Sequence, residues 1–310
     1  MRTAVVGGAG FIGSHVVDHL LEEGHDVVVV DLVEPHRDVE AHAVDILDVD
    51  GLVRATAGCD VVYHLAAVSN VNEVAADPSH AVAVNIGGTA KVWEAAHRNR
   101  VGRVVLASTV WVYAAAVGDG EVDETAAFDL AATGHIYTST KIAAEMIAHD
   151  HFGQYGQPFT ILRYGIPFGP RMRDELVIPR FVRMALAGQP LTIHGDGEQY
   201  RNYVYIDDLA HAHVLALSDR AENEVFNLEG PEPVSIRRIA ETVREVLDRP
   251  VRIDRRPARA GDYRGRAVSN ARARRLLGWQ PQVRFEEGLR RFVEWYLAQP
   301  EPAPDTAAEM

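Results

Sequence analysis

Short, continuous apolar runs separated by helical stretches fill the first half of the chain. Residues 3–6 form one run and stop at Gly7-Gly8. Residues 11–23 then carry apolar positions at helical spacing, with Gly24 as the stop. Residues 27–30 are all valine and end at Asp31; runs at 61–65, 104–107 and 159–163 repeat the pattern. Strands that are apolar on both faces and alternate with helices predict a parallel sheet covered on both sides, a doubly wound α/β architecture. After about Gly165 the pattern changes. Pro167, Pro170, Pro179 and Pro190 punctuate it and the segments become shorter and more mixed. The division expected is 1–165 for the sheet domain and 166–298 for a smaller, partly interleaved mixed α/β region. The apolar stretches 204–214 and 225–228 are expected to return to the sheet, within 203–228. The tail 299–310, rich in Pro, Ala and acids, is expected to be disordered. There is no internal repeat.

Composition narrows the class. The chain has 310 residues, 47% hydrophobic and 24% charged, ordinary for a globular enzyme, and a formal net charge of -13, which disfavours nucleic acid and anionic membranes as partners. No apolar run approaches the ~18 residues of a membrane span, and the N-terminus leads directly into a strand. Cys59 is the single cysteine, so no internal disulfide can form. A cytoplasmic location is the expectation.

Gly7-Gly8-Ala9-Gly10-Phe11-Ile12-Gly13 lies between a predicted strand and a predicted helix. Glycines there allow a tight turn and close backbone approach to a pyrophosphate, and the free N–H groups of the helix start face the phosphates. This predicts a Rossmann-type dinucleotide site. Asp31 ends the second strand, where a carboxylate accepts hydrogen bonds from the adenosine ribose and repels a 2′-phosphate. Leu32 and Val33 follow rather than an arginine, so NAD is expected over NADP. The plain alternatives are a ligand-free glycine turn and a solvated strand-end acid.

Tyr137-Thr138-Ser139-Thr140-Lys141 places a phenol and an ammonium four residues apart, on one face if the segment is helical. Bringing a tyrosine from a pKa of ~10 to ~7 takes about 4 kcal/mol, which a lysine and a bound cationic nicotinamide in a desolvated cleft can supply. The pair follows a strand ending in Ser108-Thr109, whose hydroxyls can meet the reacting oxygen. The alternative is a surface helix with an i,i+4 pair. His149 and His151, and likewise His211 and His213, are two apart, wrong for one helix face, so no metal site is expected. Trp279 and Trp295 read as packing residues.

From these residues the chain resembles the extended short-chain dehydrogenase/reductase family, in particular its nucleotide-sugar epimerases and dehydratases. The motifs are GGAGFIGSH (7–15), DILD (45–48), HLAA (64–67), NIGGT (85–89), STVWVY (108–113), YTSTK (137–141) and RNYVYIDDLA (201–210), and the likeness runs from residue 2 to about 297. The resemblance implies that Gly7, Gly10, Phe11, Ile12, Gly13, Asp31, Asp45, Ile46, Leu65, Ala66, Ala67 and Asn85 lie around NAD. It implies Thr109 as the catalytic hydroxyl, Tyr137 as acid/base, and Lys141 as the group holding the tyrosine and the nicotinamide ribose. For the substrate, a UDP- or dTDP-sugar, it implies Ser69, Thr109, Val177, Arg201, Arg259 and Asp262, with Arg201 and Arg259 on the diphosphate. It adds Arg173 and Arg266 as candidates to face an acidic sugar, and a homodimer as the assembly.

Departures from the family pattern select among its reactions. Dehydratases carry an Asp-Glu pair just after the catalytic threonine, decarboxylases a glutamate, and 3,5-epimerases a cysteine; here Val110 and Trp111 stand there and cannot transfer protons. Ile166 replaces an asparagine that helps bind the diphosphate in many relatives, and Ala114 a usual glycine. The expected activity is a 4-epimerase working through a 4-keto sugar. A dehydrogenase, ketoreductase or dehydratase of the same family, and a non-catalytic NAD-sensing member, remain as alternatives.

Overall fold

The valine runs become the middle of a seven-stranded sheet. The computed structural model describes residues 1–118, 120–257 and 266–300. Its first part comprises β1 (Arg2–Val6), α1 (Phe11–Glu22), β2 (Asp26–Asp31), β3 (Glu40–Ala43), α2 (Val49–Ala55), β4 (Val61–His64), α3 (Val71–Ala76), α4 (Pro78–Val82), a π-helical segment (Ala83–Gly88), α5 (Thr89–Arg98), β5 (Arg103–Thr109), a 3-10 turn (Val110–Ala115), α6 (Ile136–Tyr155) and β6 (Phe159–Tyr164). Then follow β7 (Ile166–Phe168), α7 (Val177–Leu186), β8 (Leu191–His194), β9 (Tyr200–Tyr205), α8 (Ile206–Leu215), β10 (Glu224–Leu228), β11 (Pro233–Ser235), α9 (Ile236–Leu247), β12 (Ile253–Arg256), α10 (Ala271–Leu277) and α11 (Phe285–Ala298).

The sheet order is β10-β6-β5-β4-β1-β2-β3, and every pairing is parallel. Successive strand residues point to opposite faces, so each run feeds two cores. Val5, Val29, Tyr63 and Val105 join one, while Val6, Val28, Val30, Val62 and Leu106 join the other. The chain leaves β1 for β2 on one side and later enters β4 on the other, which opens a crevice at the carboxyl ends of β1 and β4.

The second half covers that crevice with a three-stranded sheet, β11-β9-β7, and a β12-β8 pair. The expected returns are realised only in part. Residues 224–228 form β10 beside β6. Residues 200–205, by contrast, pair with β7 and β11, and α8 then packs on α1. The polar start of β9, with Arg201 and Asn202, suits a small sheet over the cleft better than a strand apolar on both faces. Among the described residues, no helix is long and apolar enough to cross a membrane. Arg259, Asp262 and residues 301–310 lie outside the described residues.

Candidate active site

One cleft of about 1040 Å³ runs from the glycine turn to β9. Its cofactor end is built on β1 and α1. Gly7 adopts φ +89°, and a Cβ there would lie 2.5 Å from Ala66 N; one on Gly13 would lie 2.0 Å from Gly7 O. Both must be glycine for β1, α1 and the chain after β4 to meet. No side chain caps α1, so its first N–H groups, at Phe11, Ile12 and Gly13, remain for an anion at the cleft. Asp31 Oδ2 accepts from Ala9 N–H at 2.9 Å and Oδ1 from Leu32 N–H at 2.7 Å, which fixes the carboxylate at the cleft edge. Asp45, Ile46, Leu65, Ala66, Ala67 and Ser69 also line the cleft. A bare helix start, a glycine cradle and a ribose-height carboxylate fit NAD.

Asn85 is buried directly behind the cleft wall: its amide holds Val68, which lines the cleft, and Thr140. It sits in the π-helical segment.

The reacting end is set by β5 and α6. Thr109 closes β5, lines the cleft, and accepts from Trp111 N–H at 3.2 Å through Oγ1. His135 caps α6, its Nδ1 accepting from Thr138 N–H at 3.2 Å, so the helix starts at Ile136, one residue before the phenol. Tyr137 opens onto the cleft, and burial pushes its phenol up to about 12, the charge of Arg173 working against this. Lys141 is buried; its Nζ donates to Ala107 O at 3.0 Å and lies 5.9 Å from the Tyr137 ring centre. Burial lowers Lys141 to about 8, opposed by Glu145. The lysine alone therefore does not bring the tyrosine into the neutral range. Below Lys141, Glu145 pairs with Arg163 (Nη2–Oε2 2.6 Å, Nε–Oε1 3.0 Å) and accepts from Ser108 Oγ, which locks α6 to β5 and β6.

Away from the glycine turn the cleft is also lined by Ile166, Arg173, Val177 and Arg201. Arg173 Nε lies 3.4 Å from Glu175. Arg266 departs from the expectation. It is absent from the cleft lining, and its guanidinium donates to the carbonyls of Tyr113 (3.3 Å), Ala116 (3.1 Å), Gly118 and Gly120 (3.4 Å), bracing the loop after β5.

Sequence reasoning missed three features. Arg171, at φ 66°, lines the cleft and binds Asp18 on α1 at 2.7 Å; His15 Nε2 lies 2.9 Å from Pro170 O. Together they tie the loop after β7 to the cofactor helix. Burial works to raise Asp18, but Arg37, Arg171 and His36 outweigh it and hold the carboxyl at about 2. An acid on the apolar side of α1 was the signal that a cation must meet it. Tyr164, also in the lining, donates to His213 Nε2 at 2.6 Å, while His213 Nδ1 donates to Leu209 O at 2.9 Å. Trp111 lines the cleft beside Thr109.

Known proteins similar to this chain in fold and sequence place the cleft in context. The UDP-glucose 4-epimerase of Thermotoga maritima, solved with UDP-glucose, is 31% identical, with a TM-score of 0.88 over 96% of this chain and 99% of that one. The UDP-glucuronic acid 4-epimerase of Bacillus cereus, solved with UDP-glucuronic acid and NAD, is 29% identical, with a TM-score of 0.86 over 95% and 98%. A probable UDP-glucuronate 4-epimerase of Rhizobium meliloti (strain 1021) is 32% identical over 335 residues, covering 96% of this chain and 97% of its own. The family model for the NAD dependent epimerase/dehydratase family matches residues 3–228, and the chain belongs to that family.

Proposed function

We propose that this protein is an NAD-dependent 4-epimerase of a UDP- or dTDP-linked sugar. The observation that carries the reading is that Thr109 and Tyr137 open onto the same cleft as the glycine turn, Asp31 and Arg201, while the positions next to Thr109 are Val110 and Trp111. The site can move one proton at one hydroxyl oxygen. It has no acid pair there for eliminating water.

Bound NAD supplies the hydride acceptor and donor, and a positive ring beside the phenol. Tyr137 takes the proton from the sugar O4 and later returns it. Thr109 donates a hydrogen bond to the same oxygen, and Lys141 adds positive charge behind the phenol. Arg201 holds the diphosphate. Arg173 lines the same cleft and its charge opposes the rise of the Tyr137 phenol; it favours a sugar bearing a carboxylate. On α6, Phe152 and Tyr155 are exposed on one face, and a second copy of the chain covering them makes the homodimer. The net charge of -13 and the absence of a spanning helix among the described residues support a cytoplasmic enzyme with neither nucleic acid nor membrane as partner.

The test is NMR of UDP- and dTDP-hexoses and hexuronates incubated with the purified protein, with nicotinamide absorbance followed alongside. A 4-epimerase yields the C4 stereoisomer with no net absorbance change. Stoichiometric NADH release points to a dehydrogenase instead, and no turnover of any sugar nucleotide overturns the reading.

A further inference from the structure

The cleft wall beside Tyr137 carries an aromatic group that the proton chemistry leaves unused. Trp111 lies on the 3-10 turn after β5, half-buried, with part of its surface in the cleft. Its main-chain N–H is bound to Thr109 Oγ1, so the indole leaves the chain within one short turn of the hydroxyl that meets the reacting oxygen. The indole is fixed by His135, whose ring centre is 4.9 Å away with the planes at 47°. His135 is itself fixed as the cap of α6, and its ring centre lies 6.2 Å from that of Tyr137. Indole, imidazole and phenol thus form one connected aromatic group at the helix start. Because Nδ1 of His135 accepts a hydrogen bond, the ring is neutral, and burial lowers its pKa further.

An indole that opens onto a cleft offers chiefly a flat apolar face. A pyranose ring has C–H faces that pack on such a surface. We propose that Trp111 is the platform on which the sugar ring lies, a substrate-contacting residue oriented by His135 as a positioning residue. The inference rests on the 4-epimerase reading, and that reaction gives the contact its purpose. The keto sugar must present its other face at C4 while the nucleotide stays anchored at Arg201. Hydrogen bonds to hydroxyls are directional and favour one pose. A dispersive, apolar contact is not directional, so it can hold both poses and keep the keto sugar from leaving between them.

The experiment compares wild type with Trp111→Ala, Trp111→Phe and His135→Asn. It measures binding of UDP and of the turned-over UDP-sugar by calorimetry, KM and kcat, and build-up of reduced cofactor during turnover. Trp111→Ala is expected to weaken the sugar nucleotide about tenfold relative to UDP, with UDP itself changed less than about twofold. It is also expected to accumulate reduced cofactor as keto sugar escapes. Trp111→Phe keeps most of the binding. His135→Asn preserves a good helix cap, so it raises KM without lowering the melting temperature. An unchanged ratio of sugar-nucleotide to UDP affinity in Trp111→Ala, without reduced cofactor, overturns the inference while leaving the 4-epimerase reading intact. So does a loss in Trp111→Phe as large as in Trp111→Ala. Wild type that turns over no sugar nucleotide overturns both.

Discussion

Asn85 holds Val68 by both main-chain groups: Oδ1 accepts from Val68 N–H at 2.8 Å, and Nδ2 donates to Val68 O at 3.0 Å. The second hydrogen on Nδ2 goes to Thr140 Oγ1 at 3.1 Å, and that hydroxyl donates to Tyr137 O at 2.8 Å. One buried amide therefore connects the loop that lines the cofactor end with the helix that carries the phenol. Asn85→Ala leaves the Val68 pair without its partner, and each orphaned buried group costs about 1–3 kcal/mol. The expected outcome is a lower melting temperature together with weaker NAD binding, measured by thermal denaturation and cofactor titration. A melting temperature equal to wild type would show that the clamp is not needed.

Asp31 gives a prediction about cofactor choice that separates charge from architecture. Wild type is expected to bind NAD(H) more than about tenfold better than NADP(H), because a fixed carboxylate meets the 2′-phosphate. The same carboxylate receives Ala9 N–H, so truncating it would also loosen the glycine turn. Asp31→Asn keeps an oxygen for Ala9 and removes the charge, at the cost of the acceptor that Leu32 N–H uses. It should gain NADP affinity with little loss of NAD affinity in a fluorescence titration. Equal wild-type affinity for the two cofactors would remove the argument.

The cofactor end was legible in the sequence because it is local. A valine run, a glycine turn and a strand-end acid lie within the first 31 residues, and their geometry follows from strand and helix periods alone. Asn85 was singled out because its motif resembles the family's, but its partners Val68 and Thr140 are ones that only the fold brings near. Arg171 meets Asp18 across 153 positions, and no period reveals such a pair. Arg266 illustrates the opposite difficulty. A guanidinium with five donors finds backbone carbonyls as readily as a sugar, and the sequence does not say which lie close.

Tyr137→Phe tests the proton step. Removing the hydroxyl takes away the group that exchanges the O4 proton while the ring still packs, so turnover should fall more than about 10²-fold, with NAD affinity nearly unchanged. Stopped-flow turnover and cofactor titration on one preparation provide the check. Burial holds the free phenol at about 12, so the neutral-pH rate should depend on the charges that surround it in the complex. A variant retaining a tenth of the wild-type rate would argue for a different base.

Arg173 and Arg266 divide the question of sugar charge. Arg173 lines the cleft and acts on Tyr137, whereas Arg266 is engaged by four carbonyls. Arg173→Ala is expected to lower kcat/KM for UDP-glucuronate about tenfold or more relative to UDP-glucose, the loss of one charge-assisted pair. Arg266→Ala should leave that ratio unchanged and act on stability through the loop. A wild-type preference for the neutral sugar that neither variant alters would exclude a carboxylate-reading role.

Glu229 supplies a pH dependence of stability. It follows β10, is buried, and its Oε2 finds no hydrogen-bond partner among the described residues. A Cβ on Gly165 would lie 2.7 Å from that oxygen, so the pocket leaves no room for a larger neighbour. Burial raises the carboxyl to about 8, with the Gly230 N–H and the charge of Arg201 working against it. Its folded pKa thus lies above the unfolded value of ~4.3, so the folded protein holds a proton that the unfolded chain releases. That contribution is complete below the unfolded pKa and is lost as pH rises towards about 8, reaching several kcal/mol at most. Glu229→Gln is neutral at every pH and nearly the same shape, so it should match wild type near about pH 4 and exceed it increasingly up to about pH 9. Urea denaturation of both proteins across that range decides it. Parallel stability curves would mean that Glu229 ionises in the folded protein as freely as in the unfolded chain.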